Sequence, residues 1–199
     1  MREARRERKT RRRRIEASRA RGEESFSFFE SPYFGRKVYL PLKPLERLRA
    51  TIALRAWAFS KIRLIAYVRP RVVDLTAERC EIVLPLSWRT RNHLRSMYFG
   101  ALCTGADAAA ALIGLQASRA AGGRVAVIFK DMRAEFLKRA EADVHFACEQ
   151  GREISELIAR ADATGERQNL PVHVVATVPK IFGSDPVARF TLTLSVKRR

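Results

Sequence analysis

The 199-residue chain has no run of eighteen or more apolar residues, and no apolar stretch follows its charged first residues. Neither a membrane-spanning segment nor a secretory signal is therefore expected. Cysteine is scarce: Cys80, Cys103 and Cys148 are odd in number and make no C-x-x-C pair. That excludes a disulfide framework and suits reduced core thiols in a cytoplasmic protein. Cys103 reads as a small buried thiol. Three histidines, His93, His145 and His173, give no zinc spacing with these cysteines, so no metal is expected. His145 and His173 read as structural residues of strands. No G-x-S-x-G elbow and no dinucleotide-binding fingerprint is present. Gly100 and Gly105 have the glycine spacing of a phosphate loop, but Ala106-Asp107 stands where Lys-Ser/Thr is required.

Basic charge is abundant. The formal net charge is +18, and residues 1 to 22 hold eleven Lys/Arg against Glu3, Glu7 and Glu16. Residues 1 to 24 therefore read as a basic extension that cannot bury a core. Such an arm suits either plain solvation or contact with nucleic acid or another anionic surface, and nucleic acid is expected as a partner only through this tail. Residues 25 to 60 form a second unit, an aromatic loop with Phe26, Phe28, Phe29, Tyr33 and Phe34, then a helix opened by Pro44. Leu45, Leu48, Ile52, Ala56 and Phe59 recur at spacings of three and four. This stripe is expected to pack on the domain rather than on a membrane surface.

Residues 61 to 199 form the main domain, in a chain that is 47% hydrophobic. Val72 to Leu75 and Cys80 to Leu84 read as strands around a turn near Ala77-Glu78. A long helix is expected from Tyr98 to about Ala121, stopped by Gly122-Gly123. Four strand-like runs follow, at residues 125–130, 142–149, 172–178 and 187–196, with a short helix near residues 153–161. In the last run Phe190, Leu192, Leu194 and Val196 alternate with Thr191, Thr193 and Ser195. Strands grouped after a helix argue for an α+β fold with an antiparallel sheet.

The long helix carries the one motif that stands out. Ala101, Ala106 and Ala108 to Ala111 make it slim, and Asp107 is a carboxylate among small apolar residues, a costly placement unless it is paired or used. Either an ion pair with one of the many arginines or a chemical role would account for it. Asp131, Glu135, Glu141 and Asp143 have the spacing of turn and strand-surface residues instead.

Asn92, Gly100 and Asp107 stand at spacings that resemble the hotdog-fold thioesterases, most closely the phenylacetyl-CoA type, over roughly residues 60 to 199. Tyr98-Phe99 replaces that family's His-Gly ahead of Gly100. The wider chain, from W-R-T-R-N-H to L-T-L-S-V-K, is similar to a less characterised thioesterase-like branch, a domain of unknown function. The resemblance implies a hotdog fold, an antiparallel sheet wrapped around one long helix. It also implies a homodimer or dimer of dimers, and a substrate that is an acyl-CoA or acyl-carrier thioester. No cofactor is implied beyond the coenzyme A of the substrate.

Asp107 would be the base or nucleophile, in a groove between two subunits. The helix N-terminal amides near Phe99 and Gly100 would form the oxyanion hole, since they are unpaired donors at a positive dipole end. Asn92 would orient water or carbonyl, or else serve as a turn residue or helix N-cap. Tyr98 and Phe99 would shape the acyl pocket. Arg89, Arg91 and Arg95 would hold coenzyme A phosphates or stand as a solvated basic loop. Two further readings stay open: a non-catalytic acyl-thioester binder, and a nucleic-acid-associated protein working through its arm.

Overall fold

The computed structural model describes residues 42–199. The expectations for the basic extension and for the aromatic segment up to residue 41 lie outside the described residues. Helix α1 (Pro44–Lys61) starts at the proline, and the Glu46 carboxylate accepts a hydrogen bond from the Lys43 N–H at 2.9 Å. A short α2 (Arg63–Val68) follows and ends on Arg69 in the left-handed region, with φ of 55°.

The apolar stripe of α1 does the opposite of what its spacing predicts. Leu45, Leu48, Ile52 and Phe59 are 55% to 73% exposed, and Ala56 also faces outward. Thr51, Leu54 and Ala58 are buried in their place. The Thr51 hydroxyl accepts from the Val72 N–H at 2.9 Å, and Ala58 has no bulk to hold the helix away. Periodicity finds a stripe, but close approach through small residues decided which face docked.

The strands are β1 (Arg71–Leu75), β2 (Cys80–Leu84), β3 (Val125–Phe136), β4 (Val144–Cys148), β5 (Gln168–Thr177) and β6 (Pro186–Arg198). They form one six-stranded sheet in the order β1-β2-β4-β5-β6-β3, with every neighbouring pair antiparallel. Helix α3 (Phe99–Ala120) lies against five of the six strands, β2 to β6. Among the described helices, α3 alone is long and apolar enough to cross a membrane, and here the sheet covers it. Helix α4 (Gly151–Thr164) buries Ile154, Leu157, Ile158 and Ala161 and ends on Gly165 at φ 74°. A short α5 (Pro179–Phe182) precedes β6. This is the hotdog arrangement, and the α+β expectation holds.

The expected alternation of β6 is present: Phe190, Leu192, Leu194 and Val196 are buried. Ser195, on the opposite face, is buried too, and its hydroxyl accepts from Arg167 at 2.9 Å. Strand β3 runs six residues beyond its expected end. A register shift between Phe129 and Met132 absorbs the polar Lys130-Asp131 step that broke the apolar pattern. Cys80 and Cys148 face each other across β2 and β4 as free, buried thiols. Burial pushes the Cys148 thiol up to about 12.

The slimness of α3 has a specific use at Gly105. A Cβ there would collide with the ring of Phe146, which is fully buried. Gly105→Ala is therefore expected to destabilise by about 1–3 kcal/mol through overpacking. That is so even though alanine is the better helix former by about 0.8–1 kcal/mol. Chemical denaturation of the variant against the parent measures the net effect.

Candidate functional site

The segment from Ser87 to Tyr98 is a tied loop that delivers the chain to α3. The Thr90 hydroxyl donates to the Pro85 carbonyl at 2.7 Å, and the Tyr98 N–H donates to the Thr90 carbonyl at 2.7 Å. The Met97 N–H donates to the Ala140 carbonyl at 2.8 Å, pinning the loop to the turn between β3 and β4. Asn92 sits at the centre of this loop. Its Oδ1 accepts from the Leu94 N–H at 2.9 Å, the Ser96 N–H at 3.2 Å and the Ser96 hydroxyl at 3.3 Å. The Asn92 carbonyl oxygen thus shapes the turn, which matches the turn-residue alternative.

Helix α3 starts without a side-chain cap and without an acidic residue in its first turn. The amides of Phe99, Gly100 and Ala101 precede the first i→i−4 bond, made by the Leu102 N–H to the Tyr98 carbonyl at 3.1 Å. The Tyr98 ring lies against Gly100, where a Cβ would fall 2.5 Å from Tyr98 Cε1. The Thr104 hydroxyl donates back to the Gly100 carbonyl one turn earlier at 2.8 Å.

Asp107 lies seven residues after Gly100, about 10 Å further along the axis at the rise of an α-helix. Its side chain tilts back toward the helix N-terminus. It is half-buried, and burial, the sole cause, raises its carboxyl above the ordinary carboxylate range. Among the described residues it has no ion-pair or hydrogen-bond partner, so the structural ion pair expected as its alternative is not formed. Cys103, one turn earlier, is half-buried, and burial pushes its thiol up as well.

An aromatic row leads from the helix start into the core. Tyr98 and Phe99 have ring centroids 4.8 Å apart, Phe99 and Phe136 6.2 Å, Phe136 and Phe190 6.0 Å, and Phe190 and Phe146 6.4 Å. Tyr98, Phe99 and Phe136 are exposed while Phe190 and Phe146 are buried, so the row is an apolar wall open at one end. Sequence reasoning found Tyr98 and Phe99 but missed Phe136. It lies beyond the expected strand end at residue 130, although a Phe after the alternating Met132 and Ala134 is the available signal.

The expected basic cluster divides. Arg89 stacks on Trp88 at 4.3 Å and on Tyr67 at 5.9 Å, so it belongs to the α2 side. Arg91 and Arg95 stay exposed on the loop before α3, with Arg95 at φ 60°. His145 and His173 are structural: His145 Nδ1 lies 2.7 Å from Glu81 Oε1, and the His173 N–H donates to Gln150 at 2.6 Å. Burial lowers the His173 imidazole below its ordinary value. Among the described residues no group of His, Cys, Asp or Glu could hold a metal ion.

The family described as "Domain of unknown function (DUF4442)" matches residues 52–196. No curated protein matches the chain in sequence. Among solved structures, a Shewanella oneidensis thioesterase candidate is similar with a TM-score of 0.63 and 13% identity, over 76% of this chain and 99% of that one. A Chlorobaculum tepidum protein of unknown function is similar with a TM-score of 0.65 and 10% identity, over 77% and 97%. A thioesterase from Haemophilus influenzae is similar with a TM-score of 0.55 and 14% identity, over 81% and 93%. At these identities the likenesses establish the fold.

Proposed function

We propose that this chain, which belongs to the DUF4442 family, hydrolyses an acyl thioester of coenzyme A or of an acyl carrier, with Asp107 as base or nucleophile. The observation that carries this reading is the Asp107 carboxylate, half-buried on an apolar helix and unpartnered among the described residues. Holding such a group costs free energy that a structural carboxylate avoids by pairing. Likeness in fold to proteins named thioesterases supports the same reading.

In the proposed reaction Asp107 takes a proton from water, the water oxygen attacks the thioester carbonyl carbon, and the C–S bond breaks as Asp107 returns that proton to the leaving sulfur, releasing thiol and carboxylic acid. Amides of Phe99 and Gly100 stabilise the oxygen that becomes negative. The wall of Phe99 and Phe136 takes the acyl group, and Arg91 and Arg95 take coenzyme A phosphates. Asn92 acts by holding the loop that presents the helix start. The reaction as proposed draws on no cofactor beyond the coenzyme A of the substrate, and the free buried thiols suit a cytoplasmic setting.

Within one copy, Asp107 and the Gly100 amide are about 10 Å apart along the helix. A second copy, supplying its own helix start, brings donor and base to one carbonyl. The outer edge of β3 has no strand partner among the described residues and is twelve residues long, with Ile128, Met132 and Phe136 exposed. Such an edge invites pairing. The parent is expected to run as a dimer or larger in light-scattering chromatography. Ile128→Lys/Met132→Lys is expected to run near the 22.6 kDa of one chain and to lose hydrolysis with it. A monomeric, active parent would end this part of the reading.

A second reading is an acyl-thioester binder without turnover. The observation favouring it is the Tyr98 ring seated against Gly100, on the turn whose amides would receive the oxyanion. A panel of acyl-CoA substrates, followed for thiol release and for binding, separates the two. Thiol release that depends on Asp107 supports the enzyme, and saturable binding without release supports the binder.

A further inference from the structure

A second surface, on α1 and α2, is unused by the thioester chemistry. The outward stripe of α1 presents Leu45, Leu48, Ile52 and Phe59 to solvent, and Ile62, Leu64 and Tyr67 extend it. Exposed apolar side chains in such a row are uncommon on a free surface. At its end the row opens into a cleft of about 330 Å³ lined by Phe59, Arg63, Ala66, Tyr67, Arg69 and Arg89. Phe59 belongs to both features, so stripe and cleft are continuous.

The cleft is strongly cationic. Among the described residues no carboxylate pairs with Arg63, Arg69 or Arg89. Arg69 is set in place by its neighbour. The Arg55 guanidinium donates to the carbonyls of Pro70 at 2.9 Å and Arg69 at 3.1 Å, holding the left-handed bend. Burial first, and then the charges of Arg69 and Arg71, lower the Arg55 guanidinium. Beside the cleft stands Trp88, 64% exposed and stacked on Arg89.

From Pro44 to Arg69 the chain carries six basic side chains and one acidic one, Glu46. A second copy seated here would set like charge against like. An anionic lipid surface meets both needs: its phosphates match the three arginines, and its headgroup–acyl boundary accepts the Leu, Ile and Phe side chains. Aromatic residues flanking basic ones are characteristic of that boundary.

We propose that α1 and α2 dock the protein peripherally on an anionic phospholipid membrane, with lipid phosphate in the Arg63–Arg69–Arg89 cleft and the Leu45–Phe59 stripe in the interface. The proposal goes beyond thioester hydrolysis and does not depend on it.

The test mixes the full chain with phosphatidylcholine vesicles, with and without phosphatidylglycerol, and reads co-sedimentation and intrinsic fluorescence. The chain has two tryptophans; Trp88 stands exposed beside the cleft while Trp57 packs partly buried against the core, so a lipid-dependent blue shift reports Trp88. The expected result is binding and a blue shift with phosphatidylglycerol alone. Leu48→Glu/Ile52→Glu/Phe59→Glu changes exposed positions and leaves the N-terminal arm intact. It is expected to lose the blue shift and to lower partitioning about tenfold or more. Arg63→Gln/Arg89→Gln is expected to do the same through the phosphates, about tenfold or more at roughly 1 kcal/mol for each basic side chain near the surface.

Unchanged binding and emission in both variants would overturn the proposal, since the arm alone would then hold the vesicles. So would equal binding to neutral vesicles, or a blue shift reached with coenzyme A or inorganic phosphate and no lipid. Loss of self-association in the triple variant, with no vesicle binding by the parent, would assign the face to a second copy. Binding gained only on deletion of residues 1–41 would assign it to the chain's own segment.

Discussion

Asp107→Asn is expected to lower kcat/KM for acyl-CoA hydrolysis by about 10²–10⁴-fold, the contribution of a positioned base, while leaving the fold intact. Asparagine keeps the size of the side chain and loses its ability to take a proton. The carboxyl is raised above its ordinary range by burial, so the acid limb of the parent's pH–rate profile should lie above that of an ordinary carboxylate. Activity falls as pH drops through that raised value, because the base works when deprotonated.

Stability should move the other way. A carboxyl raised in the folded state favours the neutral form there, so its stabilising contribution is complete below the unfolded value and is lost as pH rises through the folded one. Above that folded value the parent holds an unpartnered, half-buried charge, and Asp107→Asn removes it. The variant is expected to melt roughly 1–3 °C higher at neutral pH, with the gap closing toward acid. A variant that hydrolyses as fast as the parent would remove Asp107 from the chemistry. One that loses activity and also melts lower would make Asp107 a structural residue instead.

The parts of this molecule written in local pattern were legible before its structure. The run of alanines around Asp107 announced a slim central helix, and the clean alternation of Phe190, Leu192, Leu194 and Val196 announced a half-buried strand. The Asn92, Gly100 and Asp107 spacing gave the resemblance, and with it the sheet around the helix. Where two local answers were compatible with one pattern, the sequence misled. Helix α1 has apolar residues on two faces, and the face with Thr51 and Ala58 docked because small residues permit close approach. Arg89 stands beside Arg91 in the chain, but stacking on Trp88 and Tyr67 turned it to another surface. The aromatic row was out of reach for a different reason. Phe99, Phe136, Phe146 and Phe190 come from four separate elements, and only the β3–β6 pairing and the ring-sized gap at Gly105 bring them together.

Arg79→Met is expected to destabilise the protein by roughly 2–4 kcal/mol, because it strips the buried Asp74 of its charged partner while the partly exposed Glu81 and Glu149 keep some contact with water. Arg79 links three carboxylates, donating to Asp74 Oδ2 at 3.1 Å, Glu81 Oε2 at 2.5 Å and Glu149 Oε1 at 3.3 Å. Asp74 is 2% exposed, so water cannot replace the lost guanidinium there. Methionine keeps the volume and removes the charge, which isolates the electrostatic part. Burial pushes the Glu81 carboxyl up, but hydrogen bonds from His145 and Arg79 outweigh it and hold Glu81 below its ordinary value. A carboxyl held low in the folded state contributes stability that is present above its unfolded value, about 4.3, and is lost as pH falls through the folded one. The gap between parent and variant should therefore be widest near neutral pH and narrow toward acid, as measured by urea denaturation across pH. Asp74→Asn added to Arg79→Met should recover part of the loss, because it removes the charge left without a partner. Equal stability of parent and Arg79→Met at neutral pH would show that solvent, not Arg79, compensates Asp74. A double variant no better than the single would place the cost in packing rather than in charge.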